Sequence, residues 1–168
     1  VGICDVSSLG RIMIQGPDAS KFLNMIYINS FDKLSIGKAR YGIMLRDDGF
    51  VLDDGTVWRL SENYYLITTT TRQASFIMTR LEELLQIRWP ELKVHLTSVT
   101  DQWAGCAIAG PKSREILEML ISDKHEVSNK NLPFMGVKKI QIKNIECYIA
   151  RISFSGELAF EIYIPSDY

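Results

Sequence analysis

The sequence has few of the residues that form disulfide frameworks, zinc sites or Cys-His catalytic pairs. Its 168 residues include three cysteines, Cys4, Cys106 and Cys147, which are odd in number and far apart. The two histidines, His95 and His125, are isolated as well. Metal and disulfide motifs need such residues at short and regular spacing. We therefore expect no metal site, and reduced thiols inside strands rather than disulfide bonds.

Long hydrophobic runs and an excess of charge of one sign are also missing. No run comes close to the roughly 20 apolar residues of a membrane span. With 19 basic and 20 acidic residues the net charge is −1, so the chain has no general attraction to nucleic acid or anionic membranes. These features predict a soluble, cytoplasmic protein without nucleic-acid or membrane partners. Because the chain starts at Val1 without methionine, we expect residues 1–168 to be one domain within a longer polypeptide.

Two nucleotide-binding motifs are absent, and an internal repeat is present instead. Neither G-x-x-x-x-G-K-[ST] nor G-x-G-x-x-G occurs. Residues 12–26 are matched by residues 106–120, and each copy has an apolar run, Gly-Pro, and apolar residues at helical spacing. Proline suits the first turn of a helix, and it removes an N–H donor that an anion would need. We interpret the repeat as a duplicated β-α unit and not as a phosphate loop.

The rest of the chain reads mainly as antiparallel strands. A helix is predicted over 72–88, ending at Trp89-Pro90, and a polar loop over 123–131. Runs rich in β-branched and aromatic residues predict strands at 40–46, 50–60, 63–70, 92–99, twice within 136–154, and at 158–164. The pattern predicts an α+β fold, with mainly antiparallel sheets and the duplicated β-α unit.

Two adjacent aspartates, Asp53 and Asp54, lie inside the strand predicted over 50–60. Side chains alternate along a strand, so we expect Asp54 to share a face with Leu52 and Trp58, and Asp53 to lie on the other face. A carboxylate partly removed from water needs a cation or hydrogen-bond donors. One aspartate is therefore expected to serve a ligand or a local network. The pair also suits a bulge or strand end with solvated acids, and the spacing leaves both interpretations open.

Three motifs in order resemble the folate-dependent aminomethyltransferase family, which includes the T-protein of the glycine cleavage system. They are GKARYG at 37–42, the Asp-Asp-Gly strand, and FSGELAFEI at 154–162. The similarity runs through the whole chain, and the family's folate-binding domain is itself a duplicated β-α unit. The last motif differs from the T-protein form YTGEDGFE. With these differences it resembles the tetrahydrofolate-binding region of the alpha subunit of heterotetrameric sarcosine oxidase. The departing residues are Phe154, Ser155, Leu158 and Ala159.

The resemblance implies roles for Asp54, Glu161 and Tyr41. Asp54 falls on the family's catalytic aspartate beside the folate amines, Glu161 on the glutamate that holds the pterin ring, and Tyr41 on a tyrosine near the folate. From the residues alone, Tyr41 also suits a cross-strand aromatic and Glu161 a surface ion pair. The implied cofactor is tetrahydrofolate, with flavin and NAD expected elsewhere in the intact complex. The family's acceptor arginine and C-terminal barrel would lie beyond Tyr168.

The function that the resemblance implies is capture of a one-carbon unit. In sarcosine oxidase a flavin on a partner subunit oxidises sarcosine, and the folate-binding region traps the released carbon as 5,10-methylenetetrahydrofolate. The implied partners are folate and the other sarcosine oxidase subunits. Two alternatives keep the fold: an aminomethyltransferase or folate-dependent demethylase with another donor, and a non-catalytic domain that binds folate or serves assembly. An acid on an apolar face, such as Asp54, favours catalysis over the last.

Overall fold

The computed structural model describes residues 1–168 and divides the chain into two compact units. The continuous unit consists of residues 9–100, and the split unit combines residues 1–8 with residues 101–168. Each unit has a five-stranded sheet in which every neighbouring pair is antiparallel. The predicted α+β fold is thus confirmed, whereas a single functional domain over 1–168 stays a prediction. None of the helices combines the length and the apolar character that crossing a membrane requires.

The regular elements are ten strands and three α-helices. The strands are β1 Gly2–Asp5, β2 Gly10–Gln15, β3 Lys38–Leu45, β4 Val51–Ser61, β5 Tyr64–Thr69, β6 His95–Ser98, β7 Trp103–Ala109, β8 Val137–Ile142, β9 Ile145–Ala150 and β10 Ala159–Pro165. The helices are α1 Ala19–Ile26, α2 Ala74–Glu83 and α3 Ser113–Leu120. Short 3-10 turns cover Thr71–Gln73, Thr100–Gln102 and Lys124–Val127, and a π-helical turn covers Leu84–Arg88.

The continuous unit orders its strands β3-β4-β5-β2-β6 and packs α1 and α2 against the sheet. Its core contains fully buried residues from each of these layers: Phe22, Leu23, Val57, Ile67 and Ile77. The helix predicted over 72–88 is present, but its last turn is π-helical, with the Trp89 N–H donating to the Leu84 carbonyl at 2.9 Å. The strand predicted from 92 starts only at 95, because Leu92 lies in a turn that follows the helix.

The split unit orders its strands β1-β7-β10-β9-β8, with α3 covering its core. Leu117, Ile149 and Phe160 are fully buried in that core. The predicted pair of strands within 136–154 is β8 and β9. They meet at Lys143 and Asn144, whose φ angles of 47° and 70° fit the type I′ turns that favour two-residue hairpins. The predicted polar loop over 123–131 contains the 3-10 turn Lys124–Val127.

The two copies of the repeat have the same local geometry, one in each unit. Gly16 and Gly110 precede their helices with φ of 139° and 125°, a region that side chains other than glycine rarely adopt. Each helix has eight residues. At the far end, Tyr27 and Ile121 have φ of −109° and −110°, and each N–H bonds the carbonyl four residues earlier. The Gly-Pro signal therefore marks the same strand-to-helix turn twice.

All three thiols lie in strands and are free. Cys4 is exposed on β1, Cys106 is half-buried on β7, and Cys147 is buried on β9. Burial raises the pKa of both the Cys106 and the Cys147 thiols. These two side chains consequently behave as small apolar residues of the split unit.

Candidate functional site

The adjacent aspartates lie near the start of β4, immediately after a β-bulge. Asp53 pairs with Met44, but the register then shifts so that Val51 pairs with Leu45, leaving Leu52 as the extra residue. Leu52 packs against the core of the continuous unit. The expectation that Leu52 shares a face with Asp54 is therefore wrong, because the bulge interrupts the alternation on which it depended.

Asp53 belongs to a buried network. Its side chain is only 3% exposed, and it accepts the Thr70 hydroxyl at 2.8 Å and the Thr70 N–H at 3.3 Å. Desolvation raises the pKa of Asp53, while the bonds from Thr70 oppose that rise. The carboxylate thus ties β4 to the segment that follows β5. The sequence did not show which aspartate would join a local network, and the structure shows that it is Asp53.

Asp54 is half-buried on the opposite face and meets Tyr41 from β3. The Tyr41 hydroxyl donates to Oδ2 of Asp54 at 2.7 Å. The contact is diagonal across the two strands, since Asp54 pairs with Ile43 and Tyr41 with Thr56. The bond to Asp54 is the main reason that the pKa of Tyr41 is raised, followed by desolvation. The other carboxylate oxygen, Oδ1, accepts no hydrogen bond from the chain.

Hydrogen bonds to threonine hydroxyls connect the side chains next to Asp54 on β4 and β5. The indole N–H of Trp58 donates to the Thr56 hydroxyl at 2.8 Å, and the Thr56 and Thr68 hydroxyls are 3.1 Å apart. Trp58 is fully buried. Because side chains of β4 alternate beyond the bulge, Asp54, Thr56 and Trp58 share one face, as the sequence predicts for Asp54 and Trp58.

A buried tyrosine, Tyr27, lies near the aspartates and was not predicted from the sequence. Tyr27, at the end of α1, is 5% exposed, and its hydroxyl has no hydrogen-bond partner. The charges of Asp53 and Asp54 add to desolvation in raising the pKa of Tyr27. Its ring lies against Gly42 of β3, where an added Cβ would come within 2.8 Å of the Tyr27 ring. Tyr27 carries no motif, so no signal in a single sequence marks it.

Glu161 lies on β10 of the split unit. It pairs with Ala107 of β7 and with Ala150 of β9, whose small side chains leave room beside it. The hydroxyl of Tyr163, two residues along the same face, donates to Oε2 of Glu161 at 2.9 Å. Tyr163 is fully buried, whereas Glu161 is half-buried. The glutamate is therefore held in one orientation by its own strand.

The three predicted site residues fall into two groups. Tyr41 and Asp54 are bonded to each other in the continuous unit, and Glu161 lies in the split unit. The chain is thus an antiparallel α+β protein with two carboxylates held by tyrosine hydroxyls. Tyr41 donates to Asp54 in one sheet, and Tyr163 donates to Glu161 in the other. Their roles in binding stay predictions.

Comparison with known proteins gives the family. The family model described as the GCVT N-terminal domain matches residues 1–168, and the chain belongs to this family. Among solved structures, the glycine cleavage system aminomethyltransferase T from Bartonella henselae superposes with a TM-score of 0.83 at 24% identity, covering 99% of this chain and 42% of that one. A chain of the heterotetrameric sarcosine oxidase from Corynebacterium sp. U-96 has a TM-score of 0.70 at 11% identity, covering 98% of this chain and 75% of that one. Both show the same fold.

Curated relatives carry the names that the motifs implied. The sarcosine oxidase subunit alpha of Rhizobium meliloti is 50% identical over 99% of this chain. An aminomethyltransferase of Caldanaerobacter subterraneus is 34% identical over the same share. The chain spans 17% of the length of the first and 43% of the second. The resemblance stated from the sequence is confirmed.

Proposed function

We propose that this chain is the tetrahydrofolate-binding part of a sarcosine oxidase alpha subunit, where it captures the carbon released from sarcosine as 5,10-methylenetetrahydrofolate. The observation that carries the proposal is the 2.7 Å bond from Tyr41 to Asp54, because it joins two of the three residues that the family motifs select. The 50% identity to a sarcosine oxidase alpha subunit supports this branch of the family over others.

The chemistry of Asp54 suits an amine that loses a proton. Tyr41 holds Oδ2, and Oδ1 remains able to accept from an N–H group. A carboxylate fixed in this way stabilises positive charge on a neighbouring amine and takes up a proton as the methylene bridge closes. General base catalysis of this kind contributes roughly 10²–10⁴-fold to a rate. A folate nitrogen held at Oδ1 would lose its proton to Asp54. The carbon would arrive from sarcosine already oxidised to the formaldehyde level by the flavin expected on a partner subunit, and its oxygen would leave as water.

The chemistry of Glu161 suits a planar ring with adjacent N–H groups. A pterin presents such donors, and a carboxylate accepts them in pairs through charge-assisted bonds worth about 1.5–3 kcal/mol each. Tyr163 fixes the direction of the Glu161 carboxylate, so little side-chain entropy is lost on binding. Glu161 would therefore contribute affinity, and Asp54 would contribute reaction rate.

A second candidate keeps the folate and changes the donor. The 34% identity to an aminomethyltransferase favours an enzyme that receives its carbon from an aminomethyl group. Both candidates use Asp54 and Glu161 alike and differ in the methylated substrate that supplies the carbon. A comparison of sarcosine with an aminomethyl donor in the polypeptide that contains this chain separates them.

Calorimetric titration of tetrahydrofolate tests the proposal. We expect saturable binding, which Glu161→Ala weakens by at least about tenfold, or roughly 1.4 kcal/mol. We expect Asp54→Asn to leave affinity within about threefold and to slow formation of the methylene product by roughly 10²-fold or more. Tyr41→Phe, which removes the bond to Oδ2, should lie between wild type and Asp54→Asn in rate.

Matched controls remove the same charges elsewhere. Asp47→Asn acts on a fully exposed carboxylate of the β3-β4 hairpin, and Glu115→Gln on an exposed acid of α3. Neither should change affinity or rate. If the chain folds but does not bind, the titration is repeated on the longer polypeptide that contains it. Absence of binding there as well, or equal effects of Glu161→Ala and Glu115→Gln, would refute the assignment.

A further inference from the structure

Two arginines of the split unit converge on one amide oxygen, and Glu118 of α3 is an acid whose charge acts on Arg114. Arg114 on α3 and Arg151, just after β9, both donate to the amide oxygen of Asn129, at 2.8 Å and 2.9 Å. Neither guanidinium forms a salt bridge. A neutral amide oxygen cannot balance two positive charges. The arrangement thus lacks the anion that arginine pairs ordinarily hold.

The protein holds these charges in place at a cost. The guanidinium of Arg114 stacks on the Phe160 ring at 5.2 Å, and its Nη1 is buried without a hydrogen-bond partner. Burial and the charge of Arg151 both lower the pKa of Arg114, while the charge of Glu118 opposes that fall. A buried donor left unpaired is unfavourable. A bound anion at Arg151 would relieve the repulsion between the two guanidinium groups.

A cavity adjoins Arg151. Its volume is about 410 Å³, within the usual range for small-molecule sites. Arg151, Ser153 and Glu157 supply its polar side chains, and Phe134, Leu158 and Ala159 supply its apolar ones. The Ser153 hydroxyl is buried and has no partner. Glu161 is not part of the lining, although Gly156, Glu157, Leu158 and Ala159 belong to the same 154–162 motif.

The charges that line the cavity select the ligand. Arg151 and Ser153 line the cavity and can hold a carboxylate. The exposed acid Glu157 on the same lining disfavours a dianion such as phosphate and favours a ligand that also carries an ammonium group. The apolar residues leave space for a short aliphatic side chain. We propose that this cavity binds a small aliphatic amino acid, with its carboxylate on Arg151 and Ser153 and its ammonium on Glu157. The proposal does not depend on folate binding.

Titration followed by NMR tests the site, with L-valine as the probe and the full 168-residue chain as the protein. We expect the amide signals of Arg151, Ser153 and Glu157 to shift and saturate. Isovalerate, which lacks the amine, and isobutylamine, which lacks the carboxylate, should each bind at least about tenfold more weakly than L-valine.

Variants assign each end of the ligand. We expect Glu157→Gln to bind L-valine and isovalerate with equal affinity. We expect Arg151→Lys to bind L-valine about as weakly as it binds isobutylamine. Because Arg151 also supports Asn129, the fold of Arg151→Lys is checked by its unperturbed signals in β7 and β10. The surface variant Lys124→Gln should bind like wild type. Absence of saturable shifts in the folded chain, or equal binding of all three probes, would overturn the proposal.

Discussion

Replacing Thr70 by valine tests whether Asp53 is held as a buried ion. The change removes the hydroxyl that donates to Asp53 at 2.8 Å and keeps the shape of the side chain. Asp53 is 3% exposed, so its carboxylate itself has little access to water, although Thr70 is exposed. Hydrogen bonds to charged groups contribute about 1.5–3 kcal/mol. We expect Thr70→Val to lower the free energy of unfolding by roughly that amount at pH 7.

The sign of the pH dependence follows from the pKa of Asp53. Burial raises this pKa above its unfolded value of 3.8, so the folded chain binds the proton more tightly than the unfolded chain. Stability that comes from the protonated form is present below pH 3.8 and is lost as the pH rises through the folded pKa. Thr70 stabilises the ionised form and limits that loss. The penalty of Thr70→Val should therefore shrink towards about 1 kcal/mol or less when Asp53 is protonated.

Urea unfolding at neutral and acidic pH measures both effects. Thr79→Val is the control, because Thr79 is an exposed residue of α2 whose hydroxyl bonds only the Ser75 carbonyl. Surface changes of this kind stay within about 0.5 kcal/mol. With Asp53→Asn as background, the penalty of Thr70→Val should fall at pH 7. A penalty equal to that of Thr79→Val, or one that does not change with pH, would show that Asp53 is not held as described.

Three further predictions concern other parts of the chain. Tyr27→Phe removes a buried hydroxyl without a partner and should raise the urea midpoint by the equivalent of about 1 kcal/mol; a lower midpoint would mean that the hydroxyl has a stabilising role. Alanine at Gly16 should destabilise more than alanine at Gly110, since the added Cβ would lie 2.1 Å from a backbone oxygen at the first and 3.1 Å from its nearest atom at the second; equal thermal midpoints would contradict this. Iodoacetamide should label exposed Cys4 at least about tenfold faster than Cys147, whose pKa burial raises, and mass spectrometry of the native chain would reveal the opposite order.

Local signals in the sequence account for most of the fold. The Gly-Pro turns, the hairpin at Lys143 and Asn144, and the alternation in β10 each depend on a few neighbouring residues, so their geometry follows from local chemistry. The π-helical turn at Leu84–Arg88 does not, because a single turn of five residues is too short to change the apolar period of the whole helix. The division into two units is also non-local, since residues 1–8 join residues 101–168 through the pairing of β1 with β7.

The site was predicted less completely, for reasons that particular residues show. Tyr41 and Asp54 stand 13 positions apart, and only the antiparallel pairing of β3 with β4 brings them into contact. The bulge at Leu52 could not be placed from periodicity, because one extra residue leaves the composition of a strand unchanged. Thr70 and Tyr27 carry no motif, and their relation to the aspartates depends on tertiary packing.

The two neighbouring acids, Asp53 and Asp54, follow the bulge at Leu52 and face opposite sides of the sheet. A regular strand always presents adjacent residues on opposite faces, but it does not decide which face is the core. The bulge allows Leu52 and Asp53 both to face the core, and the regular alternation resumes at Asp53, with Asp53 inward on Thr70 and Asp54 outward on Tyr41. Deleting Leu52 would remove the bulge and leave Val51 and Asp53 as consecutive partners of Leu45 and Met44, with Asp54 still opposite Ile43. A chain lacking Leu52 should therefore keep Asp53 on Thr70 and Asp54 on Tyr41, and lose only the packing of Leu52 against the core.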